Sequence, residues 1–424
     1  MDHDHGPVFV SYRHSDGTEH AGAVTSVLRA SGLSVWLDRY AMLVGSFRYR
    51  MDEALQSGPS AGVLIATPEV TLSQAIQTVE FPTLARLARD NGMLVGVVTT
   101  ARRDDGSVDE QATASLYGEV EGFDLAGHKQ YAADRADDLR ALARDLVVDR
   151  MRALRHETDR SVLRIDVATR NQPSESDRTA AHLDVRLDIN GDGELPSPAG
   201  LARFAAAAPT LTEAFVISGA NAVEFSGNGH VSFCLALGAL LPRSRCSSMT
   251  FVDAKGKSWT SRAIALEHRP EPLVKLADIP EAVIVPEATR VLAHIDVLAT
   301  GHAPAAVERL AADPAGWRAA YMIAPSNPGS LVPPQDAEAW ANDICAHLVT
   351  AMSQAKVHEL HLTYSGPAAL ATLIGRNLSG FSVTAYEAFD RFNPDNARYV
   401  PTVRFRIGGA VTQISALDPQ GAVI

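Results

Sequence analysis

Glu80 stands in the stretch AIQTVEFPTLARL, where it is the one acidic residue, at the opening of a helical pattern. A carboxylate in that place gains from the helix dipole and, once shielded from water, can stabilise positive charge developing on a substrate. Composition alone reads it as an ordinary first-turn helix acid. A second chemistry is written in two glycine- and serine-bearing loops, each between a strand-like run and an Ala/Leu helix: FVISGANAVEFSGNGHVSFCLALGALL and ELHLTYSGPAALATLIGRNL. Loops of this kind, at the C-terminal end of a strand and just before a helix, turn backbone N–H groups toward phosphate.

Three other patterns carry less. GNGHVS at 227–232 approaches G-x-G-x-x-G but ends in Ser, and the strand read before it stops several residues short, so it is a poor dinucleotide fingerprint. DINGDGE at 188–194 imitates the start of a calcium loop, yet its twelfth position is Ala199, so it reads as a turn. His358 and His361 flank Glu359 at the start of a strand pattern, not on a helix face that would present two imidazoles to one metal.

The elements that must position these residues follow from periodicity. PVFVSY at 7–12 is a strand, a polar loop follows, and Ala21, Val24, Val27 and Leu28 recur at helical spacing before Gly32. LSVWLD, GVLIAT and MLVGVV are further strands, with helices at 51–55 and 76–89, so the first part reads as βαβ units on a parallel sheet. Residues 101–111 read as a charged loop and 132–154 as one long helix. The polar segment RHETDRS at 155–161 marks a boundary, and LRIDVATR and HLDVRLDI resume as strands. Beyond them the two glycine-loop stretches look like copies of one unit: each runs strand, loop, helix with a Leu-Gly or Ile-Gly pair (Gly238, Gly375), then a strand, SSMTFVD or FSVTAYEA.

Bulk composition sets limits. The 424 residues suggest two or three domains, and 46% hydrophobic with only 6% aromatic residues favours an aliphatic α/β core. A formal charge of -12 repels long DNA or RNA, although a short oligonucleotide needs only a few local cations. Three scattered cysteines make neither a disulfide framework nor a metal knuckle and point to a reducing cytoplasm. Neither a leader pattern nor 18 consecutive apolar residues occur, so neither export nor a membrane span is expected.

The blocks VFVSYRH (8–14), SVWLDRYAMLVGSFRYRMDEAL (34–55) and TPEVTLSQAIQTVEF (67–81) together resemble a TIR domain. The resemblance implies a flavodoxin-like fold over 1–155 and either an adaptor role or cleavage of the nicotinamide bond of NAD, with Glu80 at the position of the family's catalytic glutamate. It also places Arg13, Trp36, Asp38 and Phe47 around the substrate and Gly45 in an assembly loop. One departure is Ile76, where enzymatic members often carry Trp.

The motifs ISGANAVEF, VSFCLALGALL and TFVDAKGKSW, with LHLTYSGPAALATLIGRNL and ARYVPT, resemble a SAVED sensor. That likeness implies a larger α/β domain of two Rossmann-like (CARF-like) repeats over 163–424, after a linker at 156–162. Ser218, Gly219, Asn228 and His230 would line one half-site and Tyr364, Ser365 and Gly366 the other. Lys255, Lys257, Trp259, Arg391 and Tyr399 would add charge and stacking for bases. The joint implication is an antiviral effector of CRISPR or CBASS type, activated by a cyclic oligonucleotide, with cyclic tri-adenylate as the expected messenger. Its TIR domain hydrolyses NAD without a cofactor or metal, and messenger binding drives self-association into an oligomer or filament. The competing readings are a non-catalytic TIR scaffold and a TIR synthase that makes a signalling nucleotide from NAD.

Overall fold

VFVS, buried throughout, forms β1 (Val8–Ser11), and the helical spacing that follows gives α1 (His14–Ala30) with Ala21, Val24 and Leu28 facing the sheet. Gly32 takes φ +91°, the left-handed conformation that lets the chain leave α1 and enter β2 (Val35–Leu37). The computed structural model describes residues 6–37, 58–155, 161–170, 181–188, 193–261, 271–298, 304–390, 393, 395–408 and 411–424. The helix read at 51–55 lies outside them.

The chain continues through β3 (Ala61–Ala66), α2 (Phe81–Asn91), β4 (Leu94–Thr99), α3 (Glu110–Ser115), β5 (Gln130–Ala132) and α4 (Ala136–Leu154). All pairings are parallel, in the order β2-β1-β3-β4-β5. This is the flavodoxin-like sheet expected of the first domain. Two local readings change. The long helix begins only at Ala136, because QYA at 130–132 pairs with β4 as the edge strand, and α3 interrupts the end of the charged loop.

Two compact units emerge: residues 1–160 with 174–185 and 213–219, and the remaining residues. In the first, Arg150 on α4 donates to the carbonyl of Gly6 and the hydroxyl of Ser60, so one buried guanidinium ties three distant stretches together.

After β6 (Val162–Ala168) and β7 (Leu183–Arg186) comes α5 (Pro198–Ser218), then β8 (Ala222–Asn228), α6 (Val231–Leu240), β9 (Ser248–Val252) and β10 (Ser258–Ser261). The sequence reading of FVIS as a strand is corrected here: these residues end α5. Phe204, Ala207, Ala208, Leu211, Ala214 and Phe215 keep a buried helical stripe through Pro209, so burial outweighs the hydrogen bond that proline removes.

The second half has β11 (Val274–Asp278), β12 (Arg290–Asp296), α7 (Pro304–Ala311), β13 (Ala319–Pro325), α8 (Ala337–Ala355), β14 (Glu359–Ser365), α9 (Ala368–Asn377), β15 (Ser382–Phe389), β16 (Arg398–Gly408) and β17 (Val411–Ala416). The order β10-β9-β8-β6 in one sheet recurs as β16-β15-β14-β12 in the other. In both, the first pairing is antiparallel and the next two are parallel. The two copies read from the sequence are therefore copies in topology.

The copies meet through α6 and α9. A Cβ on Gly238 would overlap the carbonyl oxygen of Thr372, and one on Gly375 would overlap that of Leu235. Each helix thus places a glycine against the other's backbone, three residues from the position that receives its partner. Ala substitution at either glycine is expected to destabilise by about 1–3 kcal/mol through overpacking. Gly22→Ala, on a face of α1 with nothing within 4 Å, should be neutral or stabilising. Urea unfolding of the three variants checks this, and equal midpoints would remove the glycine contact as a determinant of the fold.

Candidate functional site

In a parallel sheet ordered β2-β1-β3, the chain leaves β1 and β3 toward opposite faces, and the crevice opens at their C-terminal ends. A cavity of about 540 Å³ lies there, lined by Val10 on β1, Tyr12, Arg13, His14 and Ser15 after it, Trp36 on β2, and Leu72, Ser73, Ala75 and Glu80 after β3. Glu80 is 6% exposed. It closes a wide turn at Ile76–Glu80 in which the N–H of Phe81 reaches the carbonyl of Ile76, one residue further than an α-helix allows. Such π turns interrupt helices chiefly at functional positions.

Arg13 is well fixed. Its Nε donates to Ser15 Oγ and its Nη1 to the Glu69 carbonyl, both at 2.7 Å, and the Glu69 carboxylate lies 3.6 Å from Nε. The guanidinium therefore ties the loop after β1 to the turn leading to Glu80, with part of its charge offset by Glu69. Trp36 stacks on Phe9 at 4.7 Å and 8°, and Tyr12 on His14 at 4.9 Å and 20°, so two flat aromatic surfaces border the cavity. Ile76 is 1% exposed and sits in the core with Phe9, Val70 and Phe81. Asp38, Gly45 and Phe47 lie outside the described residues.

The second unit brings together only some of its predicted residues. Asn228 ends β8 and His230 precedes α6, at the C-terminal edge of the sheet. Ser218 and Gly219 do not join them: they end α5 and lie before β8, at the strand's opposite end, with the Ser218 hydroxyl donating to the Phe215 carbonyl. His230 is fully buried, its Nδ1 2.8 Å from Thr169 Oγ1 and its Nε2 3.2 Å from the Gly193 carbonyl. It is a structural histidine.

Lys255 and Lys257 are exposed on the turn joining β9 to β10, whose backbone amides both donate to Asp253 at 2.9 Å. Trp259 is buried and spends its indole N–H on the same carboxylate, at 3.0 Å. Burial raises the Asp253 carboxyl, but the bonds from Trp259, Lys257 and Lys255 together hold it below its usual range. Tyr364 is buried and its hydroxyl donates to the Pro367 carbonyl at 3.1 Å. Tyr399 is buried, and that burial pushes its hydroxyl up to about 12. A Cβ at Gly366 would overlap the Tyr364 ring, which explains the glycine. Arg391 lies outside the described residues.

Sequence reasoning missed the acid that distinguishes the two copies. Glu387 on β15 is 4% exposed and caps α6 of the other copy: it accepts from the Ser232 N–H and hydroxyl at 3.0 Å and the Val231 N–H at 3.4 Å, and pairs with Arg170 at 3.1 Å. The anion place at that helix N-terminus is filled by the protein's own carboxylate. The first N–H groups of α9, Ala368 to Leu370, have no protein acceptor among the described residues. Asp253 occupies the position of Glu387 in the first copy, five residues after Ser248 as Glu387 is after Ser382, yet it turns back onto its own hairpin. The signal available was a single acid inside the otherwise uncharged strand FSVTAYEAF.

Residues 8–140 match the family model of the TIR domain, and residues 210–405 match that of SAVED, the SMODS-associated and fused to various effectors sensor domain. The chain joins a TIR domain to a SAVED domain. Among solved structures, it is similar to the Acinetobacter baumannii Cap4 SAVED/CARF-domain containing receptor with 2'3'3'-cAAA: 12% identity over 92% of this chain and 98% of that one, TM-score 0.43. The same receptor with 3'3'3'-cAAA gives 13% identity over 93% and 99%, TM-score 0.44. No match was found among curated proteins.

The other sequence motifs have structural uses. Gly227, in GNGHVS, takes φ +108° and passes so close to β6 that a Cβ would overlap the Val167 carbonyl. His361 bonds to Tyr386 at 2.6 Å and to Glu359 at 3.0 Å. Asp188 pairs with Arg203. Among the described residues no cluster of His, Cys, Asp or Glu is arranged to hold a metal, and no helix is long and apolar enough to cross a membrane. The three cysteines are buried and unpaired.

Two predictions belong to the SAVED domain. Glu387→Ala removes the cap of α6 and the partner of Arg170, and is expected to cost about 2–4 kcal/mol of its stability; chemical denaturation of the full chain measures it, and a loss under 1 kcal/mol would show the cap to be dispensable. His294, buried on β12 with Nδ1 2.8 Å from Thr363 Oγ1, is pushed by burial from 6.5 down to about 4. Below pH 6.5 the unfolded chain binds a proton that the folded one refuses. Its stabilising share is therefore complete above pH 6.5 and declines toward pH 4, by about 3 kcal/mol at most. His294→Gln should flatten the stability–pH slope in that window, and an unchanged slope would remove His294 as its source.

Proposed function

We propose that this protein is an antiviral effector in which a cyclic oligonucleotide held by the SAVED domain switches on cleavage of NAD by the TIR domain. The observation that carries the reading is a buried carboxylate, Glu80, lining the cavity at the switch point of the TIR sheet. The chemistry asks little more. The C1′–N bond breaks with both electrons departing on a nicotinamide nitrogen that is cationic before and neutral after, so no general acid is needed. Water adds to the ribose carbon and loses its proton, giving ADP-ribose.

Glu80 supplies negative charge where oxocarbenium character develops, in surroundings dry enough for that charge to count. Trp36, backed by Phe9, offers a flat face to a base, and Arg13 sets the loop on the far side of the cavity. The shape of the site favours the enzyme over a scaffold: a scaffold has no use for a buried acid facing an open cavity.

For the messenger, the SAVED family match and the uncapped N-terminus of α9 support a phosphate-bearing ligand at the sheet edges. One filled and one open helix end make the two halves inequivalent, which suits a ring with an odd number of nucleotides, cyclic tri-adenylate first, better than a two-fold ring. The same reading has messenger binding drive self-association in the cytoplasm, keeping the isolated chain inactive.

The test is NAD consumption by the full chain with cyclic di-, tri- and tetranucleotides. Turnover is expected with a trinucleotide, and Glu80→Gln should lower it by on the order of a hundred- to a thousandfold while leaving messenger affinity unchanged. Turnover by the Gln variant within a few-fold of wild type would sink the assignment of Glu80. Messenger binding without any NAD loss would favour the scaffold, and a nucleotide product other than ADP-ribose would favour the synthase.

A further inference from the structure

Packed against the wide turn that carries Glu80 is a buried polar atom left unused among the described residues. Tyr117, which follows α3, is 7% exposed, and its hydroxyl is buried with no hydrogen-bond partner among the described residues. Its place is nevertheless closely fixed. Gln77, in the wide turn that ends at Glu80, donates to the carbonyl of Leu116 at 2.9 Å and accepts the N–H of Gly118 at 3.3 Å, gripping the backbone on both sides of Tyr117. The phenol ring lies on Phe81, the residue after Glu80, with centroids 4.8 Å apart. Turn and phenol are thus built as one unit.

A buried hydroxyl without a partner costs stability, and a phenylalanine would fill the same space without that cost. The cost is explained if the hydroxyl acquires a partner when the site works. Burial first, and then the charge of Glu80, raise its pKa well above 10, so it stays a neutral phenol, which toward a carboxylate can only donate. We propose that Tyr117 is a positioning residue: in the working site its hydroxyl donates to the Glu80 carboxylate and fixes the rotamer that faces the ribose carbon. This rests on reading Glu80 as the carboxylate of NAD cleavage.

The experiment compares Tyr117→Phe with wild type, Glu80→Gln and the double variant, as full chains with NAD and cyclic tri-adenylate. Tyr117→Phe should lower kcat about tenfold or more with KM within twofold, because it loosens a reacting group without touching substrate binding. Its Tm should be unchanged or higher. In the Glu80→Gln background the same substitution should have no further effect, since the group it positions is gone. A kcat within twofold of wild type, a parallel fall in Tm, or an additive loss in the double variant would each overturn the proposal.

A crystal structure of the full chain with cyclic tri-adenylate separates this inference from the functional reading. The Tyr117 oxygen within about 3.2 Å of a Glu80 oxygen supports the contact whether or not NAD proves to be the substrate. A buried water satisfying Tyr117 instead, with Glu80 out of reach, overturns it. Absence of NAD cleavage by wild type would instead count against the reading of Glu80.

Discussion

The SAVED domain depends on one close approach, in which the backbones of α6 and α9 meet at Gly238 and Gly375. Side chains normally hold helix axes 8–10 Å apart, and only glycine lets carbonyl oxygens of one helix take the place of side chains on the other. Because each helix directly follows the loop at the end of a central strand, the crossing fixes where those loops stand relative to each other. It also brings β15 of one copy within reach of the other copy's helix, so that Glu387 can cap α6. The juxtaposition of the two copies is therefore a consequence of two glycines.

The TIR domain follows a different rule. Its crevice comes from strand order, since β1 and β3 send their chains to opposite faces of a parallel sheet. Strand order cannot bury a carboxylate. That is done locally by the wide turn at Ile76–Glu80, which puts Ile76 into the core and Glu80 against the cavity within a single turn. Ile76 itself lies in the core, and the aromatic surface bordering the cavity comes from Trp36 on β2, stacked on Phe9.

Periodicity made most elements legible, and the local errors have physical causes. FVIS is β-branched and follows a proline, which mimics a strand, but buried residues at helical spacing continue across Pro209 and the helix persists. Ser218 and Gly219 were misplaced as a direct result, since a loop that belongs to the start of a strand had been given to its end. QYA is too short to show alternation and is a strand only because β4 offers an edge. The buried roles of His230 and Trp259 were also illegible: His230 is held by Thr169, far away in sequence, and Trp259 by the turn of its own hairpin back onto Asp253. Glu80 was legible through the TIR resemblance, since composition alone reads it as a first-turn helix acid; it and Glu387 in FSVTAYEAF share one sign, a lone acid in an otherwise uncharged strand or turn.

That common sign separates two uses of a buried acid. Glu387 meets two backbone N–H groups, a hydroxyl and an arginine, so its lone pairs are consumed by the fold and its charge is compensated in place. Glu80 lines a cavity, and the neighbouring Tyr117 hydroxyl has no partner among the described residues. Burial with full satisfaction builds structure, whereas a carboxylate in the wall of a cavity stands where a ligand can meet it. In the SAVED domain the same distinction makes the halves unequal. Duplication supplied two helix N-termini of one geometry; Glu387 closed one of them, while Asp253 turned away and left the other open. The domain kept two-fold topology and lost two-fold chemistry.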